Sequence, residues 1–373
     1  MKITDIKTYL VNANPDDQKV AERPRGTNWL FVKVFTDDGV TGVGEGGGWP
    51  KVTSIAIQEL KHFVVGEDPF EVERLWMRLH SVLHGHGVTG AVRGGALSAI
   101  DMALWDIKGK ALHLPVYELL GGKCRDKIRV YGHASTPAKA QQLIEQGYTA
   151  FKCPASVEVI RQMRDAVGYT VEVGLHAHAQ FTPSLAITIG KRAERYEPAF
   201  FEEPVPPENV NALAKVAEAL DIPIATGERY FNKWAFTELL DRNIVDILQP
   251  EITRLGGILE EKKLAALAEA HYVPLSPHDG SAGPIAEMAN IHVVTSIPNF
   301  IYLEHPPVAD EPPWISTVVR GLIPESNGYI PVPTKPGLGI DLNEEEIAKH
   351  PPANVDDFQY RINYRDAFPH FLA

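Results

Sequence analysis

Three short stretches combine a β-prone run with residues that can hold a cation or move a proton. They are Val171-Glu-Val-Gly-Leu-His176-Ala-His178, Ala199-Phe-Phe-Glu202-Glu203-Pro204 and Ile224-Ala-Thr-Gly227-Glu228-Arg229. His176 and Glu202 are 26 residues apart, and so are Glu202 and Glu228. Helix-like runs, Leu185 to Tyr196 and Val210 to Leu220, fill the intervals. A (β/α)8 barrel repeats its strand–helix unit every 25 to 31 residues or so, and its chemistry sits at the C-terminal ends of the strands. The spacing therefore predicts three successive strand ends on one functional face. Residues at i and i+2 of a strand point the same way, so His176 and His178 point together, while Glu202 and Glu203 point apart. Carboxylates gathered in a barrel mouth repel unless a cation sits among them. Singly, each residue also reads as a polar strand end paired with a loop lysine or arginine. Three at one-unit spacing argue for a shared divalent metal on His176, Glu202 and Glu228.

Further strand ends follow the same pattern. Lys152 lies in Phe151-Lys-Cys-Pro154, Glu251 follows Leu248-Gln-Pro250, His278 follows Ser276-Pro277, and Glu304 follows Tyr302-Leu303. Glu251 and His278 fall on adjacent strand ends. A carboxylate there fixes the imidazole tautomer and makes His278 a usable base near neutral pH; a structural histidine is the other reading.

Eight strand candidates centre near residues 129, 150, 173, 200, 224, 247, 273 and 301, alternating with helical stretches. That alternation is the mark of a parallel sheet. Before them, Ile3 to Val11 alternates apolar and polar residues, and Asp37-Asp-Gly39 reads as a hairpin turn between Trp29–Thr36 and Val40–Gly44. Ala91 to Lys110 reads as a helix, with Leu97, Ile100, Leu104 and Ile107 at helical spacing. Two loops read as lids, 12–28 with Arg23 and Arg25, and 46–50 with Trp49 at its tip. His84 and His86 lie in a glycine-rich interruption, either a solvated loop or a contact to a ligand. After Glu304, Pro306-Pro307 and Pro312-Pro313 mark irregular chain, and the tail is expected to pack back on the N-terminal region.

The 373 residues carry a net charge of −12, with 44% hydrophobic and 23% charged residues. That supplies a large core and argues against nucleic acid or an anionic membrane as partner. Cys124 and Cys153 make no disulfide framework, in keeping with a reducing cytoplasm. No run of apolar residues approaches the length of a membrane span, and no signal peptide is evident.

The motifs together resemble the mandelate racemase subgroup of the enolase superfamily, closest to the galactonate dehydratase-like acid-sugar dehydratases. The resemblance spans nearly the whole chain. It rests on Ala99-Ile-Asp101-Met-Ala-Leu-Trp105-Asp106-Ile-Lys108-Gly-Lys, Phe201-Glu202-Glu203-Pro204, Gly227-Glu228-Arg229, Ile247-Leu-Gln249-Pro250, Pro277-His278 and Pro336-Gly-Leu-Gly, in that order. It implies a (β/α)7β TIM-like barrel over residues 126–325. An α+β capping domain would come from residues 1–125 and the returning tail, 326–373.

The chemistry implied is removal of a proton α to a carboxylate, with a metal stabilising the ene-diolate. By position, His176, Glu202 and Glu228 would ligate one divalent metal, Mg²⁺ first. His278, backed by Glu251, would take the α-proton. His178 would be the general acid that lets a β-hydroxyl leave as water. Lys152 and Glu304 would act on the substrate carboxylate or enolate, with Glu304 needing a proton or the metal nearby. Arg23, Arg25, Trp49, His84, His86 and Arg229 are the candidate substrate contacts. A hydro-lyase acting on a small sugar acid, homo-oligomeric as relatives commonly are, is the expectation. A cycloisomerase or epimerase using the same enolate, and a non-catalytic binding relative, are the alternatives.

Three departures stand out. His176 replaces the family's usual Asp, and imidazole suits Mn²⁺, Fe²⁺ or Zn²⁺ better than Mg²⁺. Glu251 replaces the usual Asp partner of the base. Cys153-Pro154 follows Lys152 where racemases carry a second lysine, which argues against two-base racemisation through that lysine.

Overall fold

The computed structural model describes residues 1–13, 28–280, 282–305 and 314–353. The chain opens with three antiparallel strands, β1 (Ile3–Asn12), β2 (Asn28–Thr36) and β3 (Thr41–Glu45), in that order across the sheet. The expected hairpin joins β2 to β3, with Gly39 at φ 86° supplying the left-handed turn residue. Helices α1 (Pro50–Leu60), α2 (Val72–Gly85) and α3 (Gly90–Leu112) follow. β3 lies almost directly on α3, and its glycines explain how. A Cβ at Gly44 would stand 2.0 Å from the Ala99 carbonyl oxygen, and one at Gly42 would stand 2.1 Å from that of Ala103. Only strand positions without side chains permit that approach.

α3 is buried on nearly all faces, including Asp101 and Asp106. Both acids are used. Asp106 accepts from the backbone of Val43 (2.9 Å) and Leu338 (2.8 Å) and pairs with Lys110 at 2.6 Å, so it ties strand, helix and tail together. Asp101 accepts from the backbone N–H of Leu259 at 3.1 Å, at the start of a barrel helix. The tail crosses between the two regions. Tyr329–Pro331 pairs antiparallel with the first barrel strand, and Glu344 then bonds Tyr9 (2.6 Å) and Lys33 (2.7 Å).

The barrel strands are β4 (Lys127–His133), β5 (Ala150–Pro154), β6 (Glu172–His176), β7 (Phe201–Glu202), β8 (Ile224–Thr226), β9 (Ile247–Leu248) and β10 (Leu303–Glu304). They pair in parallel in chain order, and β10 pairs with β4. Between β9 and β10 the expected strand near 273 is reduced to single bridges, Leu275 to Leu248 on one side and to Phe300 on the other. Pro274 and Pro277 flank this stretch, and proline cannot donate to a ladder. Three of the linking helices carry a clear start signal. Thr136, Thr182 and Asn209 cap helices by accepting from Lys139 (3.3 Å), Leu185 (3.4 Å) and Ala212 (3.2 Å), and Pro137 and Pro183 take first helical positions. Among the described residues, no helix is long and apolar enough to cross a membrane.

Side chains inside the barrel come in layers. Tyr131, Ala150, Phe200, Ala225, Ile247 and Tyr302 form one buried cluster, one residue from each of six strand regions. Gly174 completes it, since a Cβ there would meet the Phe200 ring at 2.1 Å. Strand periodicity then dictates the next layer, two residues on along each strand. It reads His133, Lys152, His176, Glu202, Gly227, Gln249 and Glu304. An aromatic floor thus carries a polar layer at the C-terminal ends of the strands.

Candidate metal and proton-transfer site

The polar layer forms a ring of alternating charge. His176 Nε2 lies 3.1 Å from Glu202 Oε1, which pairs with Lys152 Nζ at 2.7 Å. Lys152 Nζ also reaches Glu304 Oε1 at 2.9 Å. Glu304 Oε2 is 3.8 Å from His278 Nε2, which in turn contacts Glu228 Oε2 at 2.7 Å. Outside the ring, the Nδ1–H of His278 donates to Glu251 Oε2 at 2.7 Å. The other oxygen of Glu251 accepts from the backbone N–H (3.0 Å) and hydroxyl (2.7 Å) of Thr253. Gln249 donates to Glu202 Oε2 at 2.7 Å, and Arg229 pairs with both Glu203 and Glu228.

The ring is almost wholly buried, so each ionisation is set by its neighbours. Burial alone would discharge Lys152, but the carboxylates of Glu202 and Glu304 outweigh it and keep the amine charged. Burial likewise disfavours the His278 imidazolium, yet Glu228, Glu304 and Glu251 raise its pKa to about 10. Glu228 moves the opposite way: burial would raise it, but His278 draws it down to about 2. His178 is pulled down to about 4, chiefly by burial, and is neutral near pH 7. Its ring centroid lies 3.6 Å from that of His176, and its backbone sits in the left-handed region at φ 51°. A histidine there costs conformational energy, and such strain gathers where a side chain must be aimed.

Three donor atoms, one each from His176, Glu202 and Glu228, lie within 4.8 Å of one another. Two of the buried atoms, His176 Nε2 and Glu228 Oε2, have near neighbours but no well-directed hydrogen bond among the described residues. Buried polar atoms seldom stay unsatisfied. One nitrogen and two carboxylates converging on one point therefore fit a divalent cation.

The structure brings together Lys152, His176, Glu202, Glu228, Glu251, His278 and Glu304, and sets His178 beside His176. Arg229 is held by carboxylates. Trp49 is 58% exposed at its loop tip. His84 and His86 are exposed at the end of α2, and no hydrogen bond or ion pair joins either to the ring. Arg23, Arg25 and most of the 12–28 loop lie outside the described residues. For Glu304 the expectation left open a proton of its own or a metal nearby. Although burial would raise its pKa, His278, Lys152 and His133 hold it well below the usual carboxylate range, so it stands as an acceptor.

Sequence reading missed His133, whose Nε2 contacts Glu304 Oε1 and whose side chain is 32% exposed, the most open group on that carboxylate. It also missed Tyr131, which donates to Glu304 Oε2 at 3.3 Å, and the Asp279 backbone N–H, which donates to the same oxygen at 3.1 Å. The two-residue strand period counted from Tyr131 would have found His133.

Such a barrel, with a charged ring over an aromatic floor and a cap built partly from the tail, defines an enolase-type fold. The mandelate racemase/muconate lactonizing enzyme N-terminal domain matches residues 6–121, and the enolase C-terminal domain-like family matches residues 135–346. The chain belongs to the mandelate racemase subgroup of the enolase superfamily. It is similar to the D-galactonate dehydratase of Ralstonia pickettii, at 36% identity over 92% of this chain and 93% of that one. Among solved structures it is similar to an enolase from Pantoea ananatis with bound D-gluconate and Mg. That match has a TM-score of 0.85 and 32% identity over 94% of each chain. The 3,6-anhydro-D-galactonate cycloisomerase of Zobellia galactanivorans is similar too, with a TM-score of 0.86 and 31% identity, covering 95% of this chain and 100% of that one.

Proposed function

We propose that this protein is a metal-dependent hydro-lyase that dehydrates a sugar acid of the aldonate class to a 2-keto-3-deoxy acid. The observation that carries this reading is the pair of imidazoles at the three-donor cluster. His278 contacts Glu228 directly, and the His178 ring lies beside that of His176, tilted 51° to it, within the field of the same Glu228 carboxylate. Without cation and substrate His278 is the charged imidazole and His178 the neutral one; the proposed roles, His278 taking a proton and His178 giving one, rest on the bound cation and the anionic substrate reversing those charges.

His176, Glu202 and Glu228 would hold the cation. Mg²⁺ is the first candidate, and Mn²⁺ or another transition metal suits the imidazole better. When bound, the metal would supply positive charge for the substrate carboxylate and the ene-diolate, with Glu228 serving it as a ligand instead of serving His278 alone. Lys152 adds a fixed positive charge to the same end of the substrate. His278 Nε2 takes the proton on C2, with Nδ1–H held by Glu251 so that Nε2 is the accepting nitrogen. The electron pair moves into the enolate and then expels the C3 hydroxyl, which leaves as water with a proton from His178. An anionic substrate beside His178 favours its protonated form. The enol product tautomerises to the 2-keto acid. Trp49, exposed at its loop tip, and Arg229 remain our candidates for shaping the distal end of the pocket.

A cycloisomerase reading has its own support in the similarity to the Zobellia galactanivorans enzyme. It uses the same base and enolate but keeps every oxygen. The test is a panel of aldonic and aldaric acids with Mg²⁺ or Mn²⁺, with and without EDTA, read by mass spectrometry. A metal-dependent loss of one water supports the dehydratase. An isomeric product replaces it with the cycloisomerase, and solvent deuterium uptake without mass loss points to epimerisation.

A further inference from the structure

We propose that the seam between α2, the first turn of α3 and the loop after β8 is an anion site built on Arg93, taking a small oxyanion such as a carboxylate or a phosphate. Arg93 lies in the first turn of α3 and is only 7% exposed. No carboxylate or other acceptor among the described residues serves its guanidinium, and burial is the sole influence on its ionisation, pulling its pKa down. A buried guanidinium without a counter-charge is strongly unfavourable, and folded proteins pair such groups.

The surroundings deepen the deficit. A cation in the first turn faces the positive end of the helix dipole. Thr89, at the helix cap, makes no side-chain capping bond, so the first-turn N–H groups keep their donors. His80 lies across the seam with its ring 5.1 Å from those of both Trp76 and Trp234. Its Nδ1 is buried and has no hydrogen-bond partner among the described residues. Burial comes first in lowering the pKa of His80, followed by Arg93, His84 and Lys233, and no carboxylate acts against them. Lys233 is committed to Glu260 at 2.7 Å, and its Nζ lies 3.8 Å from the Trp234 ring centroid. So the acid nearest to Lys233 is spent, and Arg93 and His80 remain uncompensated.

In a chain of net charge −12, Arg93 beside the unpartnered His80 Nδ1 is a spot without its own counter-charge, and it favours an anion. A planar oxyanion matches the guanidinium fork. Trp234, 48% exposed, offers a ring at the rim of the seam. The site is separate from the ring of Lys152, Glu304 and His278, and it stands whether or not the dehydratase reading does. The two are neighbours through the backbone, however. A Cβ on Gly94 would stand 1.7 Å from the Arg254 carbonyl oxygen, and the Arg254 charge acts on Glu228 and Glu251.

The test is thermal melting and calorimetric titration of the full-length, EDTA-treated protein in a Tris chloride buffer. The probes are sodium phosphate, sodium sulfate and sodium gluconate. Chelation keeps binding at a loaded metal centre out of the measurement. We expect a saturable rise in melting temperature with at least one probe. In Arg93→Met that rise should vanish, and the variant should melt at or above wild type when no oxyanion is present. His80→Phe should bind the same probe at least about tenfold more weakly. A response to gluconate alone assigns the site to organic acids, and a response to phosphate and sulfate assigns it to tetrahedral oxyanions; each supports the proposal. Three results overturn it: no response to any probe, an unchanged response in Arg93→Met, or an Arg93→Met protein that melts well below wild type without oxyanion.

Discussion

Glu251→Gln tests the proton-transfer assignment more sharply than removal of the histidine itself. Glutamine has the same length, and its Oε1 can keep both bonds to Thr253, at 3.0 and 2.7 Å in the native side chain. Its amide nitrogen then replaces the oxygen now 2.7 Å from His278 Nδ1. An amide N–H facing Nδ1 makes that nitrogen an acceptor, so the proton moves to Nε2, the nitrogen required to take a proton from substrate. Two losses follow. A charge-assisted hydrogen bond to the imidazolium contributes about 1.5–3 kcal/mol, or roughly 10- to 150-fold in rate. Holding a catalytic histidine in the wrong tautomer costs on the order of 10⁴-fold in the serine-protease triad. Turnover should therefore fall by about 10²- to 10⁴-fold, with KM and melting temperature much less affected. The assay is initial-rate kinetics on the aldonate found by the panel, at saturating metal, with a melt of the same preparation. A kcat within about threefold of wild type in a folded Glu251→Gln protein would refute the role of Glu251.

Other expectations follow from the same geometry. Chelation should abolish turnover and lower the melting temperature, because a ligand at 100 times its Kd stabilises the native state by about 2.7 kcal/mol; an unchanged melt and rate after dialysis against EDTA would count against the cluster. His176→Asp should shift preference from Mn²⁺ toward Mg²⁺, read as the ratio of activities with the two metals, and a constant ratio would remove His176 from the ligand set. Gly47→Ala would push a methyl to within 2.2 Å of Thr253 Oγ1, the hydroxyl that holds Glu251, so it should destabilise by about 1–3 kcal/mol and slow turnover. Stability should fall as pH rises toward 8. Burial raises Glu45 to about 8 and Asp101 well above its usual value, so the unfolded chain ionises these acids first and the folded protein loses ground between about pH 4.5 and 8. Urea midpoints at pH 6, 7, 8 and 9 measure this, and a midpoint that climbs with pH would contradict it.

The strand ends were legible because a short apolar run ending in His, Glu or Lys is a local pattern, and a 26-residue repeat needs no tertiary knowledge. The contacts that seat the cap were not. Nothing in Gly42, Gly44 or Asp106 alone says that Ala99 and Ala103 pass within touching distance, or that Val43 and Leu338 donate to one carboxylate from opposite ends of the chain. Those pairings depend on how elements dock. The seventh strand shows the limit from the other side: its apolar residues are visible, but Pro274 and Pro277 leave single bridges where a ladder was expected.

The case for a metal also changes its footing between sequence and structure. Glu202 and Glu228 were expected to repel unless an outside cation joined them. In the folded protein Lys152 stands between Glu202 and Glu304, and His278 stands between Glu304 and Glu228, so the chain supplies two cations of its own. Repulsion among carboxylates therefore does not by itself demand an ion. His176 does more to demand one. Burial, Lys152 and His178 all favour its neutral form, and its Nε2 is buried without a well-directed partner. A neutral imidazole nitrogen cannot be satisfied by another cation's charge alone; it needs a proton donor or a metal. The Glu202 carboxylate lies 3.1 Å away but off the direction a hydrogen bond needs. With its proton on Nδ1, His176 presents a bare Nε2 lone pair beside that carboxylate, an arrangement that suits a cation between them, and the residue that departs from the family pattern becomes the strongest reason to place one there.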